Sequence, residues 1–393
     1  MKASQRLHGI NEYYFSQKLR EIELLNQQGK KVINLGIGSP DLPPHPSVIE
    51  ALAMQAVHPG QHAYQSYKGS AVLRNAIAAW YQKWYGVQLN ADTEVLPLIG
   101  SKEGIMHICM SFLQQGDTAL VPNPGYPTYR SAVQLAGAQP IGYNLSAANN
   151  WMPDFDELNR LIREHGCKLL FVNYPQMPTG QLPTDDLFSQ LVAFAKEKDI
   201  LLVHDNPYSF ILNNQPKSLL SVPGALEVAI ELNSLSKSHN MAGWRVGMLL
   251  GSQQHVNEVL RFKSNMDSGM FLPVQLAAAK ALELDEQWHR ELNEIYMARR
   301  EKAFELLNLL GCSFSKEQAG MFVWARVKDG ATSQNHELGA GGEWSDKILQ
   351  QAGVFITPGG IFGSNGLNYL RVSLCSPIEK LEEAIQRIKA QVK

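Results

Sequence analysis

Between residues 95 and 250 the chain alternates two kinds of segment, and this alternation restricts its fold more than any other feature. Seven short apolar runs, at 95–99, 118–121, 140–144, 169–173, 201–204, 228–232 and 246–250, have the length and composition of buried strands. Four stretches with helical character, at 104–113, 128–136, 155–164 and 185–198, separate most of them. A strand–helix rhythm of this kind predicts a mostly parallel sheet with helices on both faces, an α/β fold. Ligands of such sheets bind beyond the carboxyl ends of the strands, so the turns after the strands are where chemistry is expected. With 393 residues the chain exceeds what one core usually serves, and a second, smaller part is expected. The candidate pieces are a helix over 15–28, a strand at 320–325, a Gly/Ser/Asn-rich loop over 329–342, a strand over 369–374 and a closing helix over 378–391. Together they make an α+β set.

The turn after the sixth run holds Ser234-Leu235-Ser236-Lys237-Ser238-His239-Asn240-Met241-Ala242-Gly243-Trp244-Arg245-Val246-Gly247. Lysine seldom goes inside a protein unless it is paired or used, because burying an ammonium is costly. Desolvation lowers its pKa and frees the amine to attack carbonyls. The hydroxyls of Ser234 and Ser236 and the guanidinium of Arg245 suit a phosphate. A lysine that attacks an aldehyde beside a phosphate cradle suggests pyridoxal phosphate. A solvated loop with a surface lysine is the plain alternative.

Composition removes other classes. The net charge of −2 argues against an electrostatic nucleic-acid or membrane binder. No apolar run reaches the roughly eighteen residues that a membrane span requires. The first ten residues lack the apolar core of a signal peptide. The four cysteines, Cys109, Cys167, Cys312 and Cys375, are scattered without a CxxC pair, which fits a reducing, cytoplasmic compartment. No metal site is expected, since His204 has no His or Cys partner at ligand spacing.

The 234–247 stretch closely resembles the cofactor-lysine signature of the class I and II aminotransferases, pyridoxal-phosphate enzymes of fold type I. The resemblance runs from about residue 30 to the C-terminus. It implies a large cofactor-binding domain over 45–285. A small domain would combine 1–44 with 286–393. It also implies Lys237 as Schiff-base lysine and general base. The remaining motifs take roles by the same resemblance. Gly100, Ser101 and Lys102 form a glycine turn feeding a helix, a natural anion site, and would hold the phosphate. Tyr126, in Pro122-Asn123-Pro124-Gly125-Tyr126-Pro127, would stack on the pyridine ring. Asp205 would pair with the ring nitrogen and keep it an electron sink, while Tyr208 faces the phenolic oxygen. Arg371 would fork onto the substrate carboxylate, although its residue context alone allows an internal salt bridge.

The segment Leu35-Gly36-Ile37-Gly38-Ser39-Pro40-Asp41 lacks the third glycine of a dinucleotide loop and runs into prolines, so a Rossmann site is rejected there. By resemblance it lies over the substrate, with Ile37 and Gly38 near the carboxylate. Tyr64, five residues before Gly69, matches a tyrosine that reaches the neighbouring subunit's phosphate, which implies a homodimer. One position departs from the family. Asn173-Tyr174-Pro175-Gln176-Met177-Pro178 has Met177 where a second asparagine usually donates to the phenolic oxygen, and a thioether cannot donate. Gln176, Asn173 or Tyr208 alone would have to serve, which makes Asn173 a candidate cofactor contact.

The implied activity is transfer of an amino group from an L-amino acid to a 2-oxo acid by a ping-pong path. A C–S β-lyase on the same scaffold is the alternative. A cofactor-sensing transcription regulator and a non-catalytic relic are weaker ones. No arginine lies in 265–271, where some acidic-substrate members carry one, so neutral, apolar or aromatic substrates are expected. The aromatic run Tyr13-Tyr14-Phe15 is expected over the pocket, as in related diaminopimelate and alanine aminotransferases, with Tyr14 as substrate contact.

Overall fold

The computed structural model describes residues 4–10, 12–328 and 336–391. All seven apolar runs enter one sheet. In spatial order its strands are Val95–Leu98, Gly247–Gly251, Ala229–Ser234, Leu201–Asp205, Leu169–Val172, Thr118–Asn123 and Gln139–Asn144. Gly247–Gly251 runs antiparallel to both neighbours, and the other pairings are parallel. Alternation along the strands sorts their side chains into two cores. Leu170, Val172 and Leu202 pack toward the helices Ala71–Tyr85, Leu187–Lys198 and Leu272–Leu282. Leu169, Phe171, Val203, Ile230 and Leu232 pack toward Ser101–Phe112, Pro127–Leu135 and Gln253–Lys263. Burial on both faces is why these strands read as continuous apolar runs.

The four predicted helices of this region form, at Ser101–Phe112, Pro127–Leu135, Phe155–His165 and Leu187–Lys198. The helix Glu286–Leu309 leads into a second core around the antiparallel strands Thr357–Pro358, Tyr369–Ser373 and Phe322–Arg326. A short parallel pair, Ile33–Asn34 with Val354–Phe355, binds the early chain to this part. Arg299, on the long helix, grips both oxygens of Asp41 at 2.7 and 2.8 Å and also donates to the Leu374 carbonyl at 3.0 Å. That fork fixes the 36–41 segment over the end of the sheet.

The expected loop over 329–342 is overturned at its end, because a helix runs Gly339–Ala352. Residues 329–335 lie outside the described residues. Glycines in the first turn of this helix disguised it in the sequence. They answer to space: a Cβ on Gly341 would stand 2.1 Å from the Tyr369 carbonyl oxygen. Among the described residues no helix is long and apolar enough to cross a membrane.

Candidate active site

A cavity of about 410 Å³ opens at the carboxyl ends of the central strands. Of the sequence candidates, Ile37, Gly38, Ser101, Lys102, Tyr126, Asn173, Asp205, Tyr208, Ser234, Ser236, Lys237, Arg245 and Arg371 line it.

Lys237 sits on the single helical turn Leu235–Ser238, which starts where strand Ala229–Ser234 ends. Ser234 caps that turn by accepting the Ser236 N–H at 3.1 Å. The Lys237 ammonium donates to the Gly38 carbonyl at 2.6 Å. Burial lowers its pKa, and Arg371 and Arg245 act in the same direction while Cys375 opposes. The free amine is thereby favoured.

On one side of Lys237 lies an anion cradle. The helix Ser101–Phe112 points its N-terminus into the cavity. Gly100 precedes it at φ 89°, and a Cβ there would stand 2.1 Å from the Arg245 guanidinium. A Cβ on Gly247 would stand 2.5 Å from the Ser101 nitrogen. Both glycines are thus required for the two turns to meet. Arg245 donates to the Ala242 carbonyl at 2.8 Å, and the Ser234 and Ser236 hydroxyls are 2.8 Å apart. Burial, then Arg245, lowers the pKa of Lys102.

On the cavity floor, Asp205 ends strand Leu201–Asp205. Its Oδ2 accepts the Tyr129 hydroxyl at 2.7 Å, while Oδ1 is buried and has no partner. Burial pushes its carboxyl up to about 6, against the opposing effects of Tyr129 and His204. Asn173 is committed to the backbone: it donates to the Asp205 carbonyl at 2.6 Å and accepts the Met177 N–H at 2.7 Å. Gln176 is committed as well, to the Pro124 carbonyl and to Thr179. Each nitrogen donates one bond and keeps a second N–H, and of the two amides Asn173 lines the cavity where Met177 offers no donor. Burial raises the Tyr208 phenol, which keeps it a neutral donor.

At the other end lies Arg371, on strand Tyr369–Ser373. It is 3% exposed, and among the described residues no carboxylate pairs with it. The internal salt bridge that its sequence context allowed does not form. The guanidinium lies 3.8 Å from the Phe322 ring centre and 4.6 Å from that of Phe362. It donates to the Gly36 carbonyl at 2.9 Å and to the Met177 sulfur at 3.4 Å, and its Nε has no partner. Burial pushes it down to about 10. A buried arginine with unused donor capacity, facing a cavity, is set up for an anion.

Two candidates stand elsewhere. Tyr14 does not line the cavity; it packs toward Ile22, Leu349 and Phe355. Helix Tyr14–Gln27 begins there, and successive helical residues turn about 100° apart. Tyr13 and Phe15 face the cavity instead, with Tyr13 lying 4.5 Å beneath the Lys102 ammonium. Tyr64 is 92% exposed on the surface of this chain. Sequence reasoning missed Tyr129, Phe322 and Phe362. Tyr129 follows Tyr126 by three residues, one helical turn, and that spacing was the available signal. Glu103, His107 and Asp267 bring ligand atoms within 4.8 Å of one another, and the Lys263 ammonium, 2.8 Å from Asp267, already supplies a cation there.

The residues fit pyridoxal phosphate on the structure's own terms. An orphaned carboxylate oxygen awaits a ring N–H, a cationic glycine cradle awaits a phosphate, and a desolvated lysine lies between them.

The family model for aminotransferase class I and II matches residues 30–388. An LL-diaminopimelate aminotransferase of Dehalococcoides mccartyi is 40% identical over 390 residues, 99% of this chain and 98% of that one. The substrate-bound BacF structure from Bacillus subtilis is 35% identical, with a TM-score of 0.92 over 99% of this chain and 98% of that chain. An aromatic aminotransferase structure from Pyrococcus horikoshii is 29% identical, with a TM-score of 0.84 over 92% of this chain and 95% of that chain. Cavity chemistry, fold and relatives agree: the chain belongs to the class I and II aminotransferases, pyridoxal-phosphate-dependent enzymes of fold type I.

Proposed function

We propose that this aminotransferase takes neutral, apolar or aromatic L-amino acids as donors, with Lys237 as the covalent lysine and general base. One observation carries the reading of the substrate. Arg371 is the buried cation free to take an α-carboxylate, and the wall around it is apolar: Phe15, Leu19, Ile37, Met177, Phe322 and Phe362. Among the described residues Asp205 is the only carboxylate in the lining, and it lies on the cofactor floor. Lys102 and Arg245, the other fixed cations of the lining, are assigned to the phosphate, so among the described residues a charged far end is left without a dedicated counter-charge.

Pyridoxal phosphate supplies an aldehyde for covalent attachment and a protonated ring that withdraws electrons from the substrate α-carbon. The chain's residues do the rest. Ser101, Lys102, Ser234, Ser236, Arg245 and the N–H groups after Gly100 hold the phosphate. Tyr126 would cover the ring, the unpartnered Asp205 Oδ1 would hold its nitrogen protonated, and Tyr208 would donate to its phenolic oxygen. Arg371, with backbone at Ile37 and Gly38, orients the donor by its carboxylate. Lys237, whose desolvation favours the free amine, would serve as the base that takes the substrate α-proton and gives it back. Tyr13 and Phe15 exclude water from above.

We read 45–285, which holds all seven central strands, as the cofactor part, and 1–44 with 286–393 as the smaller part. Two copies are expected to pair. Ile49, Met54, Val57, Tyr64, Tyr67, Val72, Met266 and Phe271 are exposed apolar side chains from neighbouring segments, and Tyr64 would cross to the partner's phosphate. A second reading, LL-diaminopimelate as donor, is favoured by the names of the relatives near 40% identity, and would require charged groups from that partner.

A spectroscopic titration decides between them. The holoenzyme's visible band, near 420 nm on chromophore grounds, should be bleached by apolar and aromatic amino acids and restored by 2-oxoglutarate. Bleaching by diaminopimelate alone overturns the apolar reading. Release of pyruvate and ammonia would indicate elimination instead.

A further inference from the structure

Behind the cavity the sheet carries a second, closed polar group. Adjacent strand residues face opposite sides, so His204 and Asp205 project from opposite faces of strand Leu201–Asp205. His204 is fully buried and packs against the Phe188 ring at 5.0 Å. Its Nε2 lies 3.0 Å from the Tyr174 carbonyl, and its Nδ1 lies 2.8 Å from Glu231 Oε2. A carbonyl only accepts, so Nε2 carries a proton.

Glu231, on the neighbouring strand, decides the other nitrogen. It too is fully buried. Its Oε2 accepts the Ser218 hydroxyl at 2.8 Å and the Leu219 N–H at 2.9 Å. Its Oε1 accepts the Tyr81 hydroxyl at 2.8 Å and the Asn206 amide at 3.3 Å. Tyr81 is fixed as a donor because it receives the Asn233 amide at 3.1 Å. Two other donors on each oxygen stabilise the anion, so the one proton between Oε2 and His204 Nδ1 is assigned to the ring and Glu231 is read as a carboxylate. Burial alone would push Glu231 up, yet the charge and hydrogen bond of His204, with those of Tyr81 and Ser218, bring it down. Both ring nitrogens of His204 therefore face acceptors, and both carry protons.

We propose that His204 is a positioning residue of the active site: a buried imidazolium, fixed by Glu231, whose charge keeps Asp205 ionised. The proposal rests on reading Asp205 as the partner of the cofactor's ring nitrogen. Asp205 stands next to His204 in the strand, is buried, and has Tyr129 as the sole donor to its carboxylate. Tyr81 and Tyr85 from helix Ala71–Tyr85 face Glu231, and Tyr126, Tyr129 and Tyr208 face Asp205; burial holds all five phenols neutral. His204 is thus the positive charge available to Asp205 from behind the sheet.

The test joins one measurement without cofactor to one with it. In the cofactor-free protein, labelled with ring ¹⁵N-histidine, one of the eleven histidines should show two protonated ring nitrogens at pH 8. That signal should vanish in His204→Gln and turn neutral in Glu231→Gln, whose amide can donate to Nδ1. In the holoenzyme, Glu231→Gln should weaken pyridoxal phosphate binding about twofold at pH 7 and nearly tenfold at pH 5, the effect of a one-unit rise at Asp205 from about 6. It should lower kcat with little change in KM. The binding loss should fade by pH 9, where Asp205 ionises without help. A wild-type spectrum with no imidazolium at pH 8 overturns the proposal, and needs no variant to fold. An equal loss of binding at pH 5 and pH 9 also overturns it, because a purely structural defect would not follow pH. Wild-type protein that takes up no pyridoxal phosphate would overturn the reading of Asp205 itself.

Discussion

The site depends on groups held against their ordinary ionisation, and Asp205 shows how that trades stability for chemistry. Its carboxyl is raised to about 6 by burial. The folded chain therefore binds a proton that the unfolded chain has released between that value and the usual carboxylate range. Stability contributed by this group grows as pH falls through 6 and is absent at pH 8. Asp205→Asn should accordingly gain stability over the wild-type cofactor-free protein at pH 8. The advantage should shrink by about 1 kcal/mol at pH 5 in urea denaturation, while cofactor binding is lost. Lys237→Ala should keep the fold and lower transamination by at least the factor of about 10² to 10⁴ ascribed to a general base, with no visible band. Met177 sets a subtler condition. With Gln176 held by backbone and Thr179, the phenolic oxygen would draw on Tyr208 and the second N–H of Asn173. Met177→Asn adds a donor that stabilises the phenolate, and should move the pH midpoint of the visible band down by about one unit.

At the scale of elements, the long helix Glu286–Leu309 controls the roof of the cavity through one fork. Asp41→Ala would leave the Arg299 guanidinium, 5% exposed, without its carboxylate. A loss of about 3 kcal/mol is expected in chemical denaturation. A several-fold rise in donor KM should accompany it, since Ile37 and Gly38 lie on the same tether. The central elements were legible from the chain because short apolar runs bounded by turn residues mark strands buried on both faces. The turns after them were legible because glycine and proline mark them. Helix Gly339–Ala352 was not legible, since glycines demanded by tertiary contact hide a helical pattern. Tyr14 was misassigned for a related reason: a helix start shifts facing by 100° per residue, and one residue's error puts Tyr14 where Tyr13 belongs. Phe322 and Phe362 come from far along the chain, and only packing brings them to Arg371.

At the scale of the molecule, Tyr64 is the residue whose surroundings a single chain does not explain. If it completes the partner's site, two defective enzymes should repair each other. Mixed and refolded Lys237→Ala and Tyr64→Ala chains should regain activity, because in a hybrid one site keeps both Lys237 and Tyr64. Activity no higher than the sum of the parents would sink the idea. The sheet order has a further effect. Strand Gly247–Gly251 enters between Val95–Leu98 and Ala229–Ser234, and Leu98 pairs with Gly247. The two halves of the anion cradle, Gly100 with Ser101 and Arg245 with the serines, lie on strands far apart in sequence and meet only through that insertion. A nascent or refolding chain thus has no grip on phosphate until its edge strand has docked. Uptake of the cofactor during refolding should trail the recovery of helical signal and coincide with closure of the sheet, making the vitamin a timekeeper of assembly as well as a reagent.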